Sequence, residues 1–111
     1  MKKNDISHGE LSTLCLELSM LLHAGVGTGD ALSLLAEESG PEYQAMLLDM
    51  AREVDGGAAL SEAMRKAECF PVYVCGLVEV GERAGRTEEA LSALSRYYES
   101  RARLDRRVRS A

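Results

Sequence analysis

Four acidic side chains crowd one short part of the chain and are the first candidates for chemistry. Glu79, Glu82, Glu88 and Glu89 lie on both sides of Gly85. Carboxylate oxygens are ligands for a hard cation such as calcium, but no loop here has EF-hand spacing. We therefore interpret these residues as a solvated acidic face or as salt-bridge partners, and a divalent ion stays an open alternative. No metal and no cofactor is predicted.

Histidine and cysteine are the other candidates, and they form no recognised catalytic constellation. His8 lies in a polar leader, where we expect it to be solvated, and His23 suits the C-terminal end of a helix. Cys15, Cys69 and Cys75 are odd in number and lack zinc-site spacing, which favours reduced core thiols in a cytosolic compartment over disulfides. We expect no catalytic residue, so the chain is not predicted to be an enzyme.

Two glycines four positions apart, Gly81 and Gly85, stand inside a segment that otherwise reads as a helix. Glycine costs about 1 kcal/mol relative to alanine at such a position, so close packing must offset it. The spacing predicts a seam where another helix backbone approaches both glycines, with Glu82 pointing away from it. A glycine-rich stretch at residues 25–29 follows a helix rather than a strand, so we interpret it as a cap and turn, not as a phosphate loop.

Length and composition favour one helical domain. The chain has 111 residues, of which 46% are hydrophobic, with two prolines, no tryptophan and one phenylalanine. Residues 1–9 are predicted to be a flexible polar leader, and residues 10–111 the domain. The leader has no hydrophobic signal region, and no apolar run approaches the roughly 18 residues that a membrane span needs, so the chain is expected to be soluble as it stands.

The first three helices follow from apolar residues that recur at steps of three and four. The first runs from Leu11 to a glycine cap at Gly25. Thr28 is the predicted N-cap of the second helix, and Pro41 suits the first position of a third that ends at Gly56-Gly57. The first two helices are predicted to be antiparallel neighbours because their connection is short.

Three further helices complete the pattern. Ser61 is the predicted N-cap of a short fourth helix, Phe70-Pro71 begins a fifth, and Thr87 is the predicted N-cap of the sixth. Because the connections are short throughout, the predicted fold is all-α: a compact six-helix bundle with a long C-terminal helix.

The two ends of the chain differ in charge. Residues 1–95 carry 7 Lys and Arg against 16 Asp and Glu, whereas residues 96–111, which we call the basic end, carry 6 Arg against 2 acids. An acidic body argues against a general nucleic-acid binder. The apolar stripe fades after Tyr98, so the last two or three turns are predicted to extend beyond the bundle. The arginines that could lie near a membrane are Arg101, Arg103, Arg106, Arg107 and Arg109.

Four features, in order, resemble a known family. They are the first helix with its closing Ala24-Gly25-Val26, the stretch Gly57 to Met64 with its central Leu60-Ser61, the pair Phe70-Pro71, and Val80-Gly81-Glu82 followed by Gly85. Together they are similar to the inner-membrane platform proteins of type II secretion and type IV pilus systems, the PilC-like family. The family-signature positions are Gly25, Gly57, Leu60, Ser61, Phe70, Pro71, Gly81, Glu82 and Gly85.

The match has departures. The family often has Phe at Leu14, Gln at Glu17, Pro at Gly27 and Leu at Thr87, so the first helix and turn match less closely. These changes leave the apolar stripes intact.

The resemblance implies a non-catalytic cytoplasmic domain of an inner-membrane protein. Such a domain contacts an assembly ATPase and other inner-membrane components, and the intact protein continues into transmembrane helices beyond this chain. The resemblance leaves open whether the system is a secretion, pilus or competence system, and whether the domain forms a homodimer. The alternative from another class is a stand-alone helical adaptor or regulator that binds nucleic acid through its basic end.

Overall fold

The computed structural model describes residues 6–110, and six helices form the whole of their regular structure. They are α1 (His8–His23), α2 (Thr28–Glu37), α3 (Pro41–Asp55), α4 (Leu60–Ala67), α5 (Val72–Ala84) and α6 (Thr87–Ser110). The predicted all-α bundle with short connections and a long last helix is confirmed.

The helices are arranged as a closed ring of neighbours. Each packs against the next along the chain, and α1 closes the ring by packing along α6. The α1–α6 pair is antiparallel, because His8 at the start of α1 lies beside Asp105 while His23 at its end lies beside Glu88. The first and last helices therefore hold each other along most of their length.

Aliphatic side chains from all six helices meet in one core. The largest fully buried ones are Leu11, Leu18, Leu32, Leu47, Met50, Met64, Leu91, Leu94, Val74 and Val78. The three cysteines are also buried, as predicted for core thiols, and no disulfide joins them. Burial raises the pKa of the Cys15 thiol to about 12. This thiol stays protonated and packs as a small apolar group.

Three glycines end helices in the left-handed conformation. Gly25, Gly57 and Gly85 have φ of 91°, 108° and 71°. Each lies in a Schellman turn, in which the residue after the glycine donates its N–H to a carbonyl five residues earlier. The predicted caps at Gly25 and Gly57 are confirmed. Gly85 is a cap as well, so the prediction that it lies inside a helix and shares a packing seam is wrong.

Several helix starts predicted from the sequence differ from those in the structure by one to three residues. Thr28 and Thr87 are first residues of their helices rather than N-caps, and Ser61 is the second residue of α4, whose N-cap is Ala59. α1 begins at His8, three residues before the first apolar residue of its stripe. Apolar periodicity indicates which residues of a helix are buried, and the residues of its first turn need not be buried.

A capping box explains the early start of α1. The Ser7 hydroxyl accepts a hydrogen bond from the Glu10 N–H, and the Glu10 carboxylate accepts one from the Ser7 N–H, both at 3.2 Å. Ile6 is buried against the core, and its N–H points to the Cys69 carbonyl. Residues 6–9 therefore belong to the fold and not to a polar leader, while residues 1–5 lie outside the described residues.

The last turns of α6 are held further than predicted. Ala102 is buried beside Gly9 of α1, and the Asp105 carboxylate lies 2.6 Å from Nδ1 of His8, whose ring also contacts Tyr98. His8 is thus partly buried rather than solvated. Only residues 106–110 run past the start of α1, so about one turn extends beyond the bundle, not two or three.

A search of residues 6–110 finds no helix that is both long enough and apolar enough to span a membrane.

Core packing on α1 gives a direct test of the ring. Leu18 is fully buried and Leu16 is 46% exposed on the same helix. We expect Leu18→Ala to lower the free energy of unfolding by about 2–5 kcal/mol because it leaves a cavity, and Leu16→Ala to change it by less than about 0.5 kcal/mol. Urea denaturation followed by circular dichroism measures both. Equal effects of the two variants would contradict this core.

Candidate functional site

The Glu82 carboxylate connects two of the family-signature stretches, the one around Gly81 and the one around Leu60-Ser61. Glu82, near the end of α5, accepts hydrogen bonds from the N–H groups of Leu60 and Ser61 at 2.7 and 3.3 Å, and from the Ser61 hydroxyl at 2.6 Å. We call these three residues the Glu82 junction. The carboxylate lies at the positive end of the α4 dipole and pairs with first-turn N–H groups that lack partners within the helix.

The junction replaces a cap that α4 cannot supply. Its N-cap residue is Ala59, which has no side-chain acceptor. Within the helix, the Glu62 carboxylate reaches back to the Ala59 N–H at 2.8 Å. Ser61 is 2% exposed, so water could not replace Glu82 as the hydrogen-bond partner of its hydroxyl. The eight-residue α4 therefore depends on a side chain from another helix.

Gly81, the neighbour of Glu82, explains how α5 approaches α6. A Cβ at this position would lie 2.7 Å from the Ala90 Cβ and 3.0 Å from the Arg86 carbonyl oxygen. Neither atom belongs to a flexible side-chain end, so only glycine fits. The predicted close approach at Gly81 is confirmed, and its partner is the turn and first residues of α6.

The other three acids have separate partners. Glu79 pairs with Arg65 and Arg83, Glu88 with His23, and Glu89 with Arg86. Within residues 6–110 no cluster of three or more acidic, histidine or cysteine side chains could hold a metal ion. The interpretation as salt-bridge partners therefore holds for Glu79, Glu88 and Glu89. Glu82 points away from the Gly81 contact, as predicted, but it faces α4 and accepts hydrogen bonds there, so its interpretation as a solvated acid or a salt-bridge partner is wrong.

A groove of about 530 Å³ lies between α1, α2 and α3. The buried Leu35 and Leu47 form its apolar floor, and the exposed Glu10 and Glu17 place carboxylates at its rim. The residues that line it are Ile6, Ser7, Gly9, Glu10, Thr13, Leu14, Glu17, Leu35, Ser39, Tyr43, Met46 and Leu47. We call it the acidic groove.

One hydrogen bond crosses the acidic groove. The Tyr43 hydroxyl donates to the Glu10 carboxylate at 2.6 Å and lowers the pKa of that carboxyl. Burial, followed by the contact with Glu10, raises the pKa of Tyr43 to about 12. The bond therefore survives across neutral pH and links α3 to the start of α1.

The other signature positions have structural surroundings. Phe70 packs partly buried against the core, and Pro71 is the N-cap of α5.

Among the arginines of the basic end, Arg101 lies 6.0 Å from the centre of the Tyr97 ring and Arg103 pairs with Glu99 at 3.4 Å. Arg106, Arg107 and Arg109 are exposed.

Sequence reasoning missed the capping box and the acidic groove. The capping box had a local signal, a serine followed three residues later by glutamate before an apolar run. The groove had none, because its rim residues Glu10 and Tyr43 are 33 residues apart in the chain.

The sequence is similar to those of several known proteins. A sequence profile of the type II secretion system protein F family matches residues 14–111. The chain is 32% identical over 97 residues to the protein transport protein HofC homolog of Escherichia coli, covering 86% of the chain and 24% of that protein. It is 29% identical over 103 residues to the type IV pilus assembly protein PilC of Thermus thermophilus, covering 92% of the chain and 25% of that protein. The chain spans about a quarter of the length of these relatives.

Removing the Glu82 carboxylate tests the junction. We expect Glu82→Ala to lower the free energy of unfolding by about 1–3 kcal/mol, because the Leu60 and Ser61 N–H groups lose a charged partner. Hydrogen exchange at these two amides should become faster than elsewhere in the core. Glu89→Ala, which removes a 61% exposed acid in a 3.5 Å ion pair, is the matched control and should change stability by less than about 0.5 kcal/mol. Unchanged exchange at Leu60 in Glu82→Ala would refute the capping role.

Two glycines of α5 provide a matched pair for the close approach. Gly81→Ala should destabilise by about 1–3 kcal/mol through overpacking against α6. Gly76→Ala, where an added Cβ meets nothing within 4 Å, should stabilise by up to about 1 kcal/mol through higher helix propensity. Combining Gly81→Ala with Ala90→Gly should recover part of the loss. Thermal melts of the four proteins measure these changes, and a stabilising Gly81→Ala would exclude the close contact.

Proposed function

Because the chain belongs to the type II secretion system protein F family, we propose that it is a cytoplasmic domain of an inner-membrane platform protein. In this role it couples a cytoplasmic assembly ATPase to the assembly of pilin-like subunits through protein contacts, without catalysis of its own. The match over residues 14–111 is the observation that carries the proposal. The names of two relatives, a pilus assembly protein and a protein transport protein, support it.

The acidic groove is the surface that we assign to the ATPase. It offers an apolar floor and two rim carboxylates, which suit an amphipathic basic segment of the partner. The surrounding body is acidic, with 16 Asp and Glu against 7 Lys and Arg in residues 1–95. Such a field favours approach of a positively charged partner surface.

α6 is the element that would transmit motion towards the membrane. It has 24 residues, it packs along α1, and its end carries the basic residues. α1 contributes one wall of the acidic groove, so a partner bound there would act on the helix that packs along α6. The close contact at Gly81 would limit the movement of α5 relative to α6, because a tightly packed interface moves as a unit.

The alternative of a stand-alone adaptor that binds nucleic acid is not supported by the comparisons, which match secretion and pilus proteins. A homodimer stays a prediction. The choice between a secretion, a pilus and a competence system also stays open, because relatives with both transport and pilus names match.

Binding of the cognate ATPase tests the docking surface. We expect the purified ATPase to bind the 111-residue chain, and Glu17→Arg to weaken binding about tenfold by reversing charge at the groove rim. Glu89→Arg, which reverses an exposed charge at the start of α6, is the matched control and should bind as the original chain does. Biolayer interferometry with immobilised chain measures both. Equal loss in the two variants would move the docking surface away from the groove, and absence of binding by the chain and by the full-length membrane protein would refute the ATPase role.

A further inference from the structure

An apolar stripe is exposed at the end of α6. Leu104 is 51% exposed and Val108 is 70% exposed. They are four residues apart, so they lie on one side of the helix, one turn from each other. Ala102 and Asp105 are the residues that face α1 in these turns. Leu104 and Val108, which we call the terminal stripe, therefore point away from the helix that covers the rest of α6.

The terminal stripe lies among positive charges. The basic end carries 6 Arg against Glu99 and Asp105, and both acids are already paired, with Arg103 and His8. Arg107 and Arg109 are exposed on either side of Val108, whereas Arg106, two residues from both Leu104 and Val108, is exposed on the opposite side of the helix. Exposed aliphatic side chains surrounded by arginine are the composition of a helix that lies in the headgroup region of a bilayer.

We propose that the end of α6 binds directly to the surface of a bilayer that contains anionic phospholipid. Leu104 and Val108 insert between the headgroups, and the arginines contact lipid phosphates. The bilayer fits better than nucleic acid because exposed leucine and valine gain nothing from a phosphate backbone, whereas they gain apolar burial among acyl chains. The acidic body is repelled by the same surface, so only the helix end approaches it.

This inference deepens the proposed function, since it rests on a domain that works beside the membrane. It adds that the domain has its own affinity for lipid, at a defined pair of side chains. Such contact would fix the tilt of α6 relative to the bilayer and would give the acidic groove a constant orientation.

Vesicle sedimentation tests the terminal stripe. The 111-residue chain should sediment with vesicles made of equal amounts of phosphatidylcholine and phosphatidylglycerol, should not sediment with phosphatidylcholine alone, and should be released by added salt. Leu104→Ser/Val108→Ser should lower the partition coefficient about tenfold. Val72→Ser/Val80→Ser removes two comparably exposed apolar side chains from α5 and is the matched control, which should bind as the original chain does.

A second pair of variants tests the charges. Arg107→Gln/Arg109→Gln should lower the partition coefficient about thirtyfold, since each arginine near an anionic surface contributes roughly a factor of five. Arg52→Gln/Arg83→Gln removes the same charge from the body and should have a much smaller effect. Circular dichroism confirms that each variant folds.

Three results would overturn the proposal. They are equal binding to both kinds of vesicle, binding that the terminal-stripe variant leaves unchanged, and binding to duplex DNA with none to vesicles. Because this assay contains no ATPase, its failure leaves the docking proposal standing, and failure of ATPase binding leaves the lipid contact standing.

Discussion

The carboxylate of Glu82 is the interaction on which the arrangement of the last three helices depends. It caps α4, which has eight residues and an alanine as its N-cap, and a helix this short is unstable without tertiary support. Its neighbour Gly81 brings α5 against the start of α6. Two adjacent residues thus fix α4, α5 and α6 together. This explains in physical terms why a glycine followed by glutamate stands at this point in the sequence.

The ring of helices connects the Glu82 and Gly81 contacts to α1 and the acidic groove. α6 continues from the Gly81 contact and packs along α1, where His23 pairs with Glu88 at one end and His8 with Asp105 at the other. α1 in turn forms a wall of the acidic groove. A load applied at the groove would pass through packed helices instead of flexible connections, which suits the coupling role that we propose.

Charge is separated along the same path. The body is acidic, while the end of α6 is basic and exposes the terminal stripe. A positively charged protein partner and an anionic bilayer would therefore engage different residues, those of the groove rim and those of the terminal stripe. The two sites lie near each other, because Gly9 in the groove lining packs beside Ala102 of α6.

The sequence by itself determined the six helices, the core stripes, the glycine caps at Gly25 and Gly57, and the family. These follow from periodicity and from local backbone preferences, which act within a few residues. Only the tertiary structure decided that Glu82 faces α4, that His8 meets Asp105, and that Tyr43 crosses the groove to Glu10. Their partners lie 22, 97 and 33 residues away, so no local pattern specifies them. Ser61 is not the N-cap that its residue type suggests for the same reason, because its hydroxyl donates to Glu82 of another helix. Gly85 differs: it ends α5 through a local left-handed turn of the kind that also ends α1 and α3, so its cap, unlike the contacts of Glu82 and His8, needs no distant partner.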